Sequence, residues 1–348
     1  MADPTTGVDN PQPIPDSDRL PVAVDAMGGD DAPASIVAGA RTAYEEHGVP
    51  VLLVGRRDEL GDVGDIPVLD ASEVIGMEAE PASSVRRMKD SSIVRAAEAV
   101  RDGQASAVLS AGNTGAAMAA SLLRLGRIRG ITRPAIAVPF PVLGSTPATL
   151  LDCGANADCQ PEWLVQFAEM GTVYARERFG LERPRVGIMT IGEEAGKGNA
   201  LVKEACTLLE AGGWDRAVGA DYVGNVEGRD LMHGVADVVV CDGFTGNIIL
   251  KSLEGGVGLA LAAIKARLRS TPEVAATAEV VDPVLTPLFD ELDPEQRGSA
   301  MLLGTRGVSM IAHGSSSSFA IANAIRTADA MVNIGIVQSM RDMVENRA

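Results

Sequence analysis

An α/β fold, with a mostly parallel sheet covered by helices on both faces, is predicted by three observations. Short uninterrupted apolar runs alternate with helical stretches along the chain. Several of those runs end in Gly with Asn, Asp, Ser or Thr, the residues of tight strand-to-helix turns. Hydrophobic residues make up 46% of the 348 positions and aromatics only 3%, so a sizeable core must be built from Ala, Val, Leu, Ile and Met.

Residues 1–20 are rich in Pro and Asp and lack an apolar signal core, and read as a disordered acidic tail. Residues 21–348 read as one two-lobed domain. Val22-Ala23-Val24-Asp25-Ala26-Met27 is the first strand; Gly28-Gly29-Asp30-Asp31 follows, then a helix from near Pro33 to about Gly48. Further strands are expected at 51–55, 107–110, 135–138 (ahead of Pro139), 149–151, 186–189, 222–223 and 238–240. The turns behind them span 111–115, 152–156, 191–194, 224–228 and 241–247. Ligands of parallel sheets sit beyond the carboxyl ends of strands, so these turns are expected to converge on one crevice.

The stretch 238–251 concentrates that logic. Three valines lead into Cys241-Asp242-Gly243-Phe244-Thr245-Gly246-Asn247, then into a helical run through Lys251. Glycine lets backbone N–H groups approach a ligand, and a helix start offers open donors to an anion. Leu253, Val257, Leu261, Ile264 and Leu268 extend this helix to 269, and Pro272 ends it. Residues 280–289 are apolar but broken by Pro283 and Pro287, which predicts a loop between projecting helices over 251–303, the second helix resuming at 294–303. A closing helix is expected from Phe319 to about Asn346.

Composition narrows the function. A net charge of −17 disfavours nucleic acid, whose phosphates need clustered Lys and Arg. Cys153, Cys159, Cys206 and Cys241 match no zinc spacing and read as reduced cytosolic thiols. No apolar run of about 20 residues suggests a membrane span. Residues 192–198 lack P-loop spacing, and Gly28-Gly29-Asp30 lacks the dinucleotide fingerprint, so neither ATP, NAD nor a metal is expected. No Ser-His-Asp set can be picked out. What remains is neutral donors (Asn113, Asn156, Asn199, Asn225, Asn247), the cations Lys197 and Lys251, and a lone His313 beside Gly314 and Ser315. Such an inventory binds an oxyanion without supplying a strong nucleophile. Any single Asn is as readily a cap or turn residue.

Several motifs, in order, resemble one family. They are Val24-Asp25-Ala26-Met27-Gly28-Gly29-Asp30 with Ala32-Pro33, Lys89-Asp90-Ser91-Ser92, residues 110–115, Asp152-Cys153-Gly154-Ala155-Asn156, Gly192-Glu193-Glu194, Lys197-Gly198-Asn199, residues 224–229, residues 241–247 and His313-Gly314-Ser315-Ser316. Over about residues 21–333 the chain resembles the bacterial acyl-ACP:phosphate acyltransferase (PlsX) family of phospholipid synthesis. The resemblance implies a three-layer α/β/α fold like phosphotransacetylases and isopropylmalate dehydrogenases, and a homodimer. It implies transfer of a long-chain acyl group from acyl carrier protein to inorganic phosphate. The acyl phosphate would pass to a membrane glycerol-3-phosphate acyltransferase, and the enzyme would be cytoplasmic and peripherally membrane-associated. Acyl-CoA as donor, or a catalytically idle membrane or carrier adaptor, are the rival readings.

On this footing Lys197, Asn199, Asn225 and Asn247 are the expected catalytic residues, with the 243–246 backbone. Gly28, Gly29, Asp30, Asn113, Thr114, Asn156, Asp242, Gly243, Thr245, Gly246, Lys251, His313 and Ser315 are expected to bind phosphate or substrate. Carrier proteins are acidic, so a basic patch is needed; Arg124, Arg127, Arg129 and Arg133 form one candidate, and Arg86, Arg87 and Lys89 another. Val284, Leu285, Leu288 and Phe289 are the expected membrane contacts.

Overall fold

Val22–Asp25 (β1) is buried at every position, as a central parallel strand covered on both faces must be. The computed structural model describes residues 19–268, 270, 278–292 and 299–347; the first 18 residues of the expected tail, and Pro272, lie outside them. The strands are β1, β2 (Val51–Gly55), β3 (Val68–Asp70), β4 (Ala107–Ser110), β5 (Ala135–Phe140), β6 (Ala148–Leu151), β7 (Arg185–Thr190), β8 (Asp221–Glu227), β9 (Val238–Val240), β10 (Ala300–Leu303) and β11 (Val308–Ile311). They form one sheet in the order β3-β2-β1-β4-β11-β10-β5-β6-β9-β7-β8.

Helices cover both faces. On one side pack α1 (Ala34–Glu45), α5 (Pro161–Phe179), α6 (Ala200–Glu210), α7 (Trp214–Val218), α10 (Ser318–Asn333) and α11 (Ile336–Glu345), around Ile36, Phe167, Leu209 and Ile325. On the other lie α2 (Pro81–Arg87), α3 (Ser92–Arg101), α4 (Thr114–Ala120) and the start of α8 (Gly243–Leu268), around Val85, Val94 and Ala117. Alternate residues of β1 feed the two cores: Val22 and Val24 one, Ala23 the other. The expected three-layer α/β/α architecture is present.

Pairing is parallel except where β10 meets β11 and β5, and where β5 meets β6. The reversal divides the sheet. β1, β2, β3, β4, β5 and β11 run one way; β6, β7, β8, β9 and β10 run the other. The expected turns therefore do not all leave the same end of the sheet. Turns after β1, β4 and β11 lie at one edge of the sheet, and turns after β6, β7, β8 and β9 at the opposite edge.

Three expected elements differ. Residues 300–303, expected to end a helix, form β10, and the stretch 294–298 lies outside the described residues. Residues 280–289 are not a loop but part of a helix, α9 (Ala278–Leu292), despite Pro283 and Pro287 within it. The two prolines stand four apart and both are exposed, away from the packed side of the helix. The closing helix is two helices, α10 and α11, separated at Gly335, whose φ of 70° L residues rarely adopt.

Beyond its first turns α8 stands largely bare, and with α9 it forms the projecting hairpin, tied by Lys265 Nζ 5.2 Å above the Phe289 ring. By length and composition α8 is apolar enough to cross a membrane, which the sequence reading had not expected because Lys251, Glu254 and several glycines interrupt its apolar run.

Candidate functional site

At the edge shared by β6, β7, β8 and β9, one buried carboxylate organises the turns. Asp152 accepts from the backbone N–H groups of Ile136, Gly154, Ala155 and Asn156 and from the Asn156 side chain, at 2.7–3.1 Å. Burial pushes its carboxyl pKa up, and these donors pull against that. Asn156 also donates to Pro134 O at 2.8 Å, so it serves as a tie between β6 and the start of β5.

The first turn of α8 seats on this loop. Gly243 N donates to Asn156 O, and Thr245 N and Oγ1 donate to the Asp242 carboxylate at 2.8 and 3.0 Å. Gly246 N donates to Asp242 O. Of the donors that residues 243–246 were expected to offer an anion, those of Gly243, Thr245 and Gly246 are thus engaged within the protein. Asp242 is a helix cap, and Thr245 braces it. Lys251 pairs with Glu254 at 3.0 Å, two turns along. Asn247 is exposed beside Gly154 and is the one expected amide here with no bonded partner among the described residues.

The loop after β7 presents the other expected cation. Lys197 is exposed, its ammonium 3.6 Å from Glu194, with Gly196 and Gly198 on either side at positive φ. Asn199 caps α6, accepting from Val202 N at 2.9 Å. That leaves the N–H groups of Ala200 and Leu201 open at the helix start, beside Lys197. Asn225, expected to touch substrate, instead donates to Glu194 O at 3.0 Å and Gly192 O at 3.3 Å, so it shapes the loop that carries Lys197.

No thiol at this edge is ready to ionise. Burial pushes Cys153 and Cys241 well above the ordinary thiol range, and Cys159 up to about 12. The arrangement offers a flexible cation, a helix start and open amides, and no activated nucleophile.

The remaining expected residues gather at the opposite edge. Asp30 N donates to Gly314 O, and His313 Nδ1 lies 2.7 Å from Ser315 Oγ. Asn113 caps α4 and donates to Met77 O and Ala79 O, with Thr114 exposed next to it. Gly28 is irreplaceable: a Cβ there would lie 2.6 Å from Asp25 Oδ2 and 2.8 Å from Gly112 N. Gly29 abuts Gly314 O.

Sequence reasoning missed Asp25 as a candidate, though a carboxylate inside an apolar strand was the visible signal. It is buried, accepts from Ser110 Oγ at 2.7 Å and Met27 N at 3.3 Å, and lines a small cleft with Ser92 and Asn113. Burial raises its pKa, so the penalty for ionising it is absent below about 4 and grows as pH rises through the folded value. Asp25→Asn is therefore expected to gain stability relative to the wild type between pH 4 and pH 8. Melting temperatures that ran parallel across that range would contradict it.

Of the arginine candidates, Arg124 is spoken for, pairing with Glu98 at 3.4 Å and donating to Val85 O. Arg127, Arg129 and Arg133 are exposed, with Arg133 4.7 Å above the Trp163 ring.

The chain was compared with known proteins. The family model "Fatty acid synthesis protein" matches residues 20–339. A phosphate acyltransferase of Thermus thermophilus is 48% identical over 92% of this chain and 97% of its own length. The chain belongs to the phosphate acyltransferase family. Another member, from Desulfitobacterium hafniense, is 45% identical over 92% of this chain and 96% of its own. Among solved structures, a branched-chain phosphotransacylase from Enterococcus faecalis superposes with a TM-score of 0.59 at 17% identity, covering 89% of this chain and 99% of that one. A phosphotransacetylase from Streptococcus pyogenes gives 0.57 at 15%, covering 90% and 94%. At such identities the likeness shows the fold alone.

Proposed function

We propose that the chain transfers a long-chain acyl group from acyl carrier protein to inorganic phosphate. Family membership supports the reaction class. The observation that carries the mechanism is Lys197 on a glycine-flanked loop at the open start of α6. Phosphate is already a dianion nucleophile near neutral pH and a thiolate leaves readily, so positioning and charge stabilisation suffice.

In this reading Lys197, Asn199 and the α6 N–H groups hold phosphate, and Asn247 faces the acyl donor. A phosphate oxygen attacks the thioester carbon, a C–O bond forms, the C–S bond breaks, and the departing thiolate takes a proton from solvent. Asn225 acts by holding the loop. The deciding experiment mixes enzyme, phosphate and acyl carrier protein and traps acyl phosphate with hydroxylamine. Phosphate-dependent hydroxamate is expected, faster than with acyl-CoA. Its absence with every donor would leave the adaptor reading.

The product would serve a membrane glycerol-3-phosphate acyltransferase, from a cytoplasmic enzyme resting on the membrane. The bare hairpin favours this: Val284 is 73% exposed and Leu288 lies on the same helical face. Leu285 and Phe289 are half-buried, Phe289 under Lys265, and rank behind them. Val284→Glu with Leu288→Glu is expected to abolish liposome flotation; unchanged flotation would defeat the membrane contact. A homodimer is the further proposal, because two copies set edge to edge would unite the two separated groups of turns. Sedimentation as a monomer at micromolar concentration would remove it.

A further inference from the structure

Arg127 and Arg133 belong to a cavity of about 400 Å³, lined with them by Leu122, Thr132, Pro134 and Trp163. Its wall adjoins the candidate site, because Pro134 O accepts the Asn156 amide. The loop that carries it is fixed. Buried Gln166 accepts from Thr132 N at 2.7 Å and donates to Gly130 O at 2.9 Å. Ile128 N donates to Gly304 O, and Arg306 Nε donates to Arg127 O. Arg127 spends one donor on Thr132 O, and the Arg133 guanidinium lies over the Trp163 ring.

None of Arg127, Arg129, Arg133 and Arg306 pairs with a carboxylate among the described residues, in a chain carrying 47 acidic side chains against 30 Lys and Arg. Elsewhere on the same surface Arg124 takes Glu98. Guanidinium groups left open beside an apolar floor suit an anion with an organic arm. Each presents up to five N–H donors in a fork that fits phosphate oxygens. Trp163, Leu122 and Pro134 supply the apolar wall that a bare ion does not need.

We propose that this cavity binds the phosphate of the donor's phosphopantetheine arm, with the arm running from there past Pro134 toward Asn156 and the thioester. The inference rests on the thioester-donor reading above and adds the place where the donor is held. The same phosphate ester occurs in a carrier protein's prosthetic arm and in free coenzyme A, and the two sources are separable by experiment.

The test titrates 4′-phosphopantetheine, pantetheine and inorganic phosphate into the full chain while following tryptophan fluorescence. There are two tryptophans, and Trp214 is buried away from this cavity, so Trp163→Phe removes the relevant signal. Phosphopantetheine is expected to quench, and pantetheine to bind at least tenfold more weakly, as loss of charge-assisted bonds requires. Arg127→Gln with Arg133→Gln should weaken the phosphorylated ligand by a similar factor and raise the KM for acyl donor with little change in kcat. A KM rise with acyl carrier protein alone assigns the arm to the carrier; a rise with acyl-CoA alone assigns it to the free coenzyme. Equal binding of pantetheine and its phosphate, or an unchanged KM in the folded double variant, would overturn the proposal. Quenching that persists while no donor yields hydroxamate would instead refute the proposed reaction and leave the cavity standing.

Discussion

Gly246→Ala is expected to cripple folding, although Ala is the better helix former by about 1 kcal/mol. Gly246 lies in the first turns of α8, where an added methyl would sit 1.9 Å from the backbone oxygen of Asp152 and 2.9 Å from its carbonyl carbon. Neither is a flexible side-chain end that can swing aside. Asp152 is itself fixed by five N–H bonds, so the helix must lift away, breaking the Asn156 and Asp242 contacts at its start. A cost above about 3 kcal/mol follows, a large share of the roughly 5–15 that a domain possesses. The control is Gly255→Ala, about two and a half turns along, where nothing lies within 4 Å of the new methyl. There the same change should stabilise the isolated helix by about 0.5–1 kcal/mol. Chemical denaturation compares the pair. A wild-type midpoint for Gly246→Ala would mean that α8 does not seat on the Asp152 turn as described.

Lys197→Ala carries the largest expected effect on chemistry, a fall of about 100-fold or more in hydroxamate formation, the scale of losing one charge-stabilising donor. Stability should barely move, because its one ion pair among the described residues, to Glu194, is long and exposed. Asn225→Ala should lose both activity and stability, since its amide holds residues 192 and 194. The contrast separates a group that touches substrate from one that positions it. If both variants, shown to be folded, kept near wild-type rates, the site would have to be sought at the other edge of the sheet, around Asp25 and His313.

Most strands that could be read from sequence are buried throughout, although Asp221–Glu227, expected at 222–223, is largely exposed or half-buried. Val22–Val24 and Val238–Val240 are apolar runs because both faces are covered. Ala300–Leu303 is no shorter than these, but Ala, Met and Leu are good helix formers where Val is not, and a short apolar run of such residues does not distinguish strand from helix. The α9 prolines misled for the opposite reason: local propensity was read correctly and the helix tolerates it on an exposed face. The direction of β6 could not be inferred, because antiparallel entry is decided by which strand it neighbours. That one fact sends His313 and Lys197 to opposite edges. Asn113, Asn199 and Asn225 show how motif and role diverge. Each lies in the expected turn, yet two cap helices and one laces a loop. Among the described residues Asn247 has no bonded partner, and Asn199 accepts through its oxygen while its NH2 donors stay open.

The placement of β10 and β11 bears on how the chain is made. They fill the centre of the sheet between β4 and β5, yet they are its last strands in sequence. While the ribosome is still short of residue 300, both halves expose a raw strand border, with no neighbour for Ala107–Ser110 on one side or Ala135–Phe140 on the other. Closure awaits a partner roughly two hundred residues downstream, a long-range pairing of the kind that folds slowly and invites association between nascent chains. Fragments ending before residue 300 are accordingly expected to aggregate instead of forming an autonomous N-terminal lobe.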